Sequence, residues 1–447
     1  MFNKLKKKYR SFQKSLVSSS LKLVQRLIFA CVKIDKNKVV FDHFNGLDVG
    51  CNPGYIARKV STRHADLKTV WLLSNNRKGY NGDWITYGGG GFVGKCIALA
   101  SAKVVVFNTL NSMSDWPKKK GQIWIQTGHG SFGIKKVGLD LGNKRKQKII
   151  REAKRTNVFL SNSVFETKVF SNGFRFKSKQ IIEIGHARSD VFFDDLLKFS
   201  LKKEICKKYD YEGKKLVLFA PTHSEFDVDF VKKIDVESIL RAFQDRFNGE
   251  WVFGLRLHPR TRNKILKNGL SLKSLNGKNV VDLSEHSDMQ ELLVASDAMI
   301  TDFSSGIFDF LLTKRPCFFH LEELMRESLQ GTLYFDFLET PIPTSFDSSV
   351  LTENIRKFDE MRFLGQVDSF LEQAGSYENG RAADNAADII KALTKGVSVA
   401  RLRLQYKNIS DLEGISSSEI ARKEKAGGAQ LLQNKAQSGK GHVEVAE

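Results

Sequence analysis

The stretch SDAMITDFSSGIFDFLLTKRPCFF, from Ser296 to Phe319, reads as a strand, a turn and a helix in immediate succession. Ala298, Met299 and Ile300 form a short apolar strand. Thr301 to Gly306 then supply hydroxyls, one carboxylate and a flexible glycine, the mix found where a chain leaves a sheet and begins a helix. Ile307 to Leu312 is the expected helix, and Pro316 opens the next apolar run. Free backbone N–H groups at a helix start, just past a strand's carboxyl end and beside two hydroxyls, make a seat for phosphate. Ser304 or Ser305 would serve equally as a plain helix cap, and Asp302 has the same claim, so the stretch alone leaves both readings open.

The same strand-then-helix texture extends on either side. Apolar runs at Val39–Phe41, Thr69–Leu73, Lys103–Phe107, Gln122–Gln126, Val158–Leu160 and Ile181–Ile184 are separated by helical stretches, which implies parallel βαβ units. A second set follows at Leu216–Phe219, Trp251–Leu257, Val280–Leu283, Ala298–Ile300 and Cys317–His320, and the helix Ala382–Leu393 is expected to close it. The fold class is therefore α/β, with two doubly wound, Rossmann-like domains facing a cleft. Strand ends on both sides carry polar groups: His129 between Gly128 and Gly130, then Ser131; His186 and Arg188; Thr222 and His223; Arg256 and His258. Glycines flanking His129 let backbone approach a ligand, although a turn histidine without chemistry fits the same pattern. Ser163 followed by Glu166 predicts a capping box on the helix Val164–Phe170. His43, His64, His286 and His320 read as ordinary surface or packing residues.

Length and charge set the outer limits. The 447 residues suffice for two or three domains, and 71 Lys+Arg against 50 Asp+Glu leave a net charge of +21, which favours an anionic partner. Nucleic acid is disfavoured because no recognisable module or aromatic-interleaved basic stripe accompanies the charge. The five cysteines are scattered, without a C-x-x-C pair or histidines at ligand spacing, so a structural zinc site is not expected. No apolar run is long enough to span a bilayer. Residues 1–36 mix Lys and Arg with Leu, Val and Ile before the first acid, Asp35. This suits a helix lying on an anionic membrane surface better than a signal peptide, whose cleavage site is missing. The remaining boundaries are 37–200 for the first domain, 201–395 for the second and 396–447 for a low-complexity, disordered tail.

Taken in order, IQTGHGSFGIKK from Ile125, IIEIGHARSD from Ile181, LFAPTH from Leu218, LRLHPR from Leu255, the opening stretch from Ser296, and QGTLYFDF from Gln330 resemble the CDP-glycerol glycerophosphotransferase family. Those enzymes build teichoic acids and similar phosphate-linked polymers on bacterial surfaces. The resemblance implies a GT-B fold with the donor held chiefly by the C-terminal domain. It implies transfer of an alditol phosphate from CDP-glycerol or another CDP-alditol to a hydroxyl of a lipid-linked glycan or polymer acceptor, with CMP released. It also implies a peripheral position on the cytoplasmic face of the membrane. By the same resemblance His129 is the base and His258 its catalytic partner at the pyrophosphate. Gly128, Gly130, Ser131, Arg188, Thr222, Arg256, Ser304, Ser305 and Asp309 bind the donor, Asp309 by ordering its hydroxyls or an arginine. No cofactor is implied, and a divalent metal stays open. Departures from the family pattern are Gly128 for tryptophan, Ala187 for proline, Gln330 for arginine, and His223 and Ser224 after Ala-Pro-Thr. They bear on which alditol is moved. A nucleotide-sugar glycosyltransferase on the same architecture is the competing expectation.

Overall fold

In a computed structural model, the described residues are 20–74, 86–87, 91–110, 112–131, 135–142, 145–222, 231, 233–267, 279–321, 327 and 331–406. The basic run before residue 20, the tail beyond 406, His223, Ser224 and Gln330 lie outside them.

Two parallel sheets form. The first has seven strands in the order β3-β2-β1-β4-β5-β6-β7: β1 Lys38–Asp42, β2 Lys68–Trp71, β3 Thr86–Tyr87, β4 Val104–Phe107, β5 Ile123–Gln126, β6 Val158–Ser161 and β7 Ile181–Glu183. The second has six in the order β10-β9-β8-β11-β12-β13: β8 Lys215–Phe219, β9 Trp251–Leu255, β10 Val280–Asp282, β11 Ala298–Thr301, β12 Cys317–His320 and β13 Thr344–Ser345. Each order reverses once, between β1 and β4 and between β8 and β11, and crevices at such reversals receive ligands.

Burial explains why the strands read as continuous apolar runs. Val104 and Val106 of β4 pack with Val39, Phe41 and the helix Cys51–Arg63, while Val105 and Phe107 pack on the opposite face with Val40, Trp124 and the helix Gly91–Ser101. Period-two alternation thus feeds two cores at once, and no position on the strand can be polar without cost. The second sheet sits in one large cluster that includes Leu216 to Phe219, Phe243, Phe253, Phe308 and Phe318.

The helix Ala382–Thr394 does not close the second domain. Ala383, Ala386, Ala387, Ile389, Ile390 and Leu393 pack with Ile56, Ala57 and Val60 in the first domain's core. Asp190 explains the docking: its carboxylate accepts the Ala382 and Ala383 backbone N–H groups at 2.9 and 2.7 Å, capping the helix from a distant part of the chain. The expected boundary at 395 moves accordingly, because the chain recrosses near Ser376, which bridges to Ser163. Order also runs past the expected start of the tail at 396: the helix Val399–Gln405 buries Leu402 on the same core. Among the described residues no helix is long and apolar enough to cross a membrane.

Candidate active site

The two sheets turn their carboxyl ends toward each other across a cleft of about 410 Å³. His43, Cys51, His129 and Arg188 line it from the first domain. Thr222, Arg256, His258, Ser304, Ser305 and Asp309 line it from the second. Eight of the eleven expected site residues therefore meet in one place; Gly128, Gly130 and Ser131 support it from behind.

His129 follows β5 directly. Gly128 adopts φ +62, a left-handed conformation that a side chain would strain, and this turns the imidazole toward the cleft. Nδ1 lies 2.8 Å from the Asn108 carbonyl. A carbonyl can only accept, so Nδ1 carries the proton and Nε2 keeps its lone pair. The residue is exposed at the cleft, and the protein packed around the rest of the ring partly desolvates it. That desolvation pushes its pKa below the ordinary 6.5, with Arg188, His43 and His186 adding to the effect and the Asn108 bond opposing it. The outcome is a neutral imidazole with a fixed tautomer, as a general base requires.

Arg188 and Asp309 join the domains. Arg188 Nε donates to Asp309 Oδ2 at 3.1 Å and Nη2 to Oδ1 at 3.2 Å, and Nη2 also reaches Ser131 Oγ at 3.0 Å. Ser131 donates in turn to Asp309 Oδ1. Burial alone would raise the Asp309 pKa, but the guanidinium outweighs it and holds the carboxyl below its usual range. Burial likewise disfavours the Arg188 charge, and Asp309 more than offsets that. The arginine fork expected to reach a ligand is thus engaged by Asp309, and Asp309 orders an arginine. Gln290 Nε2 completes the carboxylate's shell at 3.1 Å.

On the second domain, Thr222 donates its backbone N–H and hydroxyl to Asp302, the hydroxyl at 2.7 Å, which ties the end of β8 to the end of β11. Asp302 is therefore a staple between strands and not a helix cap. The helix Gly306–Leu311 starts at Ser305, whose side chain makes no cap bond, and among the described residues Ser304 Oγ accepts the Gly306 N–H at 3.3 Å and no other. Both hydroxyls remain at the cleft. Arg256 gives one bond, from Nη2 to the His286 carbonyl at 3.1 Å; its buried Nε has no partner, and no carboxylate among the described residues pairs with it. His258 Nδ1 accepts the Arg260 N–H at 3.2 Å, so in the neutral ring the proton sits on Nε2.

Several residues that hold this geometry were not singled out from the sequence. Asn108 orients His129 through its carbonyl and receives the Phe44 N–H on Oδ1 at 3.2 Å. Asn52 donates to the Thr127 and Gly128 carbonyls at 2.9 and 3.3 Å and accepts the Arg188 N–H at 3.1 Å, linking two motifs. His43 lines the cleft instead of packing elsewhere, with Nδ1 on Asp48 Oδ1. Asn108 and His43 both stand directly after a buried apolar strand, the one signal by which they were findable. His186 lies buried behind the site, 3.2 Å from Glu166. Glu166 receives the Asn162 N–H at 2.7 Å, while Ser163 Oγ accepts the Glu166 N–H at 3.0 Å, so only half of the expected capping box forms. No group of three or more His, Cys, Asp or Glu side chains among the described residues is arranged to hold a metal.

The model of the CDP-glycerol:poly(glycerophosphate) glycerophosphotransferases matches residues 24–392. The chain belongs to this family. A teichoic acid poly(glycerol phosphate) polymerase of Bacillus spizizenii is 26% identical over 427 residues, covering 88% of this chain and 100% of the relative. A teichoic acid glycerol-phosphate transferase of Staphylococcus aureus is 26% identical, covering 83% and 98%. A Bacillus subtilis polymerase is 25% identical over 86% of this chain and 52% of its own length, so the chain spans about half of that relative. Structures of the wall teichoic acid polymerase TagF superpose with a TM-score of 0.73 at 24% identity, covering 88% of this chain and 98% of theirs. That likeness gives this glycerophosphotransferase family member the GT-B fold.

Proposed function

We propose that the protein transfers glycerol phosphate, or a related alditol phosphate, from a CDP-alditol to a hydroxyl of an acceptor polymer and releases CMP, in teichoic-acid-like synthesis. One observation carries this: a base of fixed tautomer on one domain faces a wall of hydrogen-bond donors on the other. His129 supplies the lone pair, and Arg256, His258, Ser304 and Ser305 supply the donors. Family membership and the names of the relatives point the same way.

The chemistry follows from those positions. The acceptor oxygen attacks the β-phosphorus, and His129 Nε2 takes its proton. The bond from that phosphorus to the bridging oxygen breaks, and its electron pair leaves with CMP. Charge grows on the oxygens around phosphorus, where the Arg256 guanidinium and the His258 Nε2–H meet it in a site partly closed to water. Ser304 and Ser305 donate to phosphate oxygens. Arg188 and Asp309 neutralise each other and set the spacing between base and donor site. Purified protein with CDP-glycerol, CDP-ribitol or a UDP-sugar and a lipid-linked acceptor should release CMP from a CDP-alditol. UDP or UMP release without CMP would establish the glycosyltransferase alternative.

The same proposal places the enzyme on the cytoplasmic membrane surface through the helix at 20–31, with a lipid-linked acceptor. Leu23 and Leu27 are 59% and 56% exposed beside Lys22 and Arg26, while Phe29 is buried on the first domain. Leu23→Glu with Leu27→Glu should shift the protein from anionic vesicles to the supernatant on sedimentation; an unchanged distribution would refute this placement.

A further inference from the structure

The loop after β1 contains a second histidine–carboxylate pair that the transfer step above does not use. His43 is 7% exposed and lines the cleft. Its Nδ1 is held by Asp48 Oδ1. Among the described residues its buried Nε2 has no hydrogen-bond partner. A buried imidazole nitrogen without a partner is an unmet hydrogen bond, and such a vacancy on a cleft wall points to a ligand.

The loop is built to hold this ring. Phe44 and Asn45 take left-handed backbone at φ 43 and φ 61, which a bulky residue such as phenylalanine adopts only under constraint. Gly46 follows at φ 82, where a Cβ would stand 2.4 Å from the Leu72 carbonyl oxygen. The Gly46 and Leu47 N–H groups return to the His43 carbonyl at 2.9 and 3.0 Å. Asn108, whose carbonyl fixes His129, also holds the Phe44 N–H through its side chain. The rings of His43, Phe44 and His129 follow one another with centroid separations of 4.5 and 5.0 Å. β1, β4 and β5 are neighbours in the sheet, so His43, Asn108 and His129 occupy three adjacent strand ends.

We propose that His43, oriented by Asp48, is a positioning residue for the acceptor: its Nε2 accepts a hydrogen bond from a second hydroxyl of the acceptor's terminal alditol, beside the hydroxyl deprotonated by His129. This rests on the transferase function proposed above. The Asp48 carboxylate accepts the Nδ1–H, which leaves Nε2 as an acceptor and suits a polyol in preference to phosphate. The pair belongs to the domain that carries the base, while the donors for the pyrophosphate lie opposite. A polyol with two hydroxyls near each other thereby meets two imidazoles, one held by the Asn108 carbonyl and the other on the loop whose Phe44 N–H the Asn108 side chain accepts.

The experiment measures CMP release with a soluble acceptor ending in glycerol phosphate and with its analogue lacking the secondary hydroxyl, using wild type, His43→Ala, His43→Gln and Asp48→Asn. In wild type the deoxy acceptor should have a KM about tenfold higher, the size of one lost hydrogen bond. H43A should raise the KM of the full acceptor by a similar factor, leave the donor KM unchanged, and no longer discriminate between the two acceptors. D48N should fall between, and H43Q should restore part of the discrimination. Equal acceptor KM values in wild type would overturn the proposal without recourse to any variant, even if H43A fails to fold. A parallel rise in donor and acceptor KM would overturn it as well. Absence of CMP release from wild type with every CDP-alditol would overturn the transferase function itself, an outcome separate from either of these.

Discussion

At the scale of single residues, the His129 tautomer has a measurable signature. Desolvation lowers its pKa below 6.5, so the base form persists when an ordinary histidine would already be protonated. The acidic limb of the kcat/KM profile should therefore have its midpoint below 6.5, and His129→Gln should cost about 10²–10⁴ in kcat while donor affinity measured by calorimetry stays constant. Arg256 acts on the other substrate. Arg256→Met removes a cleft guanidinium that no carboxylate engages among the described residues, and it should raise the donor KM more than the acceptor KM. His129, Arg256, His258, Ser304 and Ser305 were legible in the chain because each stands in a polar cluster directly after an apolar run. Their partners were less visible. Asn108 acts through its carbonyl, which every residue has, and Asn52 acts through contacts to residues 127, 128 and 188 that no local pattern encodes.

At the scale of elements, the turn after β11 illustrates what local spacing can and cannot determine. A strand, a polar turn and a helix were all expected there and all form, but the hydroxyls and Asp302 exchange roles. Asp302 reaches across to β8 because β8 and β11 are hydrogen-bonded neighbours, a fact of topology and not of spacing. Thr222→Val would leave a buried carboxylate short of one donor and should destabilise the protein by about 1–3 kcal/mol in urea denaturation. Most long strands were legible because both faces are covered. The two-residue strands β3 and β13 were not, since two residues carry no periodicity. The helices Ser348–Arg356 and Glu360–Gln373 were passed over for another reason: each buries only two or three large or β-branched side chains, so their apolar stripes are thin.

At the scale of the whole molecule, the Arg188–Asp309 pair couples stability to cleft geometry. Arg188→Met strands a buried carboxylate and should cost about 3–5 kcal/mol, whereas Arg188→Met with Asp309→Leu should cost less than the single change. Because Asp309 titrates below its ordinary 3.8, the pair's contribution is complete above that value and is lost only as pH falls through the lowered one. In R188M burial alone acts on Asp309 and raises its pKa, so thermal melts should show the deficit of R188M against wild type beginning to shrink already above pH 3.8, as the stranded carboxyl takes up its proton. The expected placement of the helix Ala382–Thr394 failed at this scale too. An apolar stripe announces that a helix will be buried but not on which sheet, and here the deciding cap is Asp190, almost two hundred residues earlier in the chain.

That return crossing also fixes an order of events during synthesis. The chain leaves the first domain near Phe193 and comes back at Ser376, so the second domain is an insertion in the first. Everything the inserted domain needs has been synthesised before Ile389, Ile390 and Leu393 are made, and without them one face of the seven-stranded sheet is only partly covered, by the helix Cys51–Arg63. Chains truncated at residue 380 and released should present a protease-resistant second half joined to a digestible first half. The half that carries the base is begun first and completed last, so the cleft assembles only on a finished polypeptide.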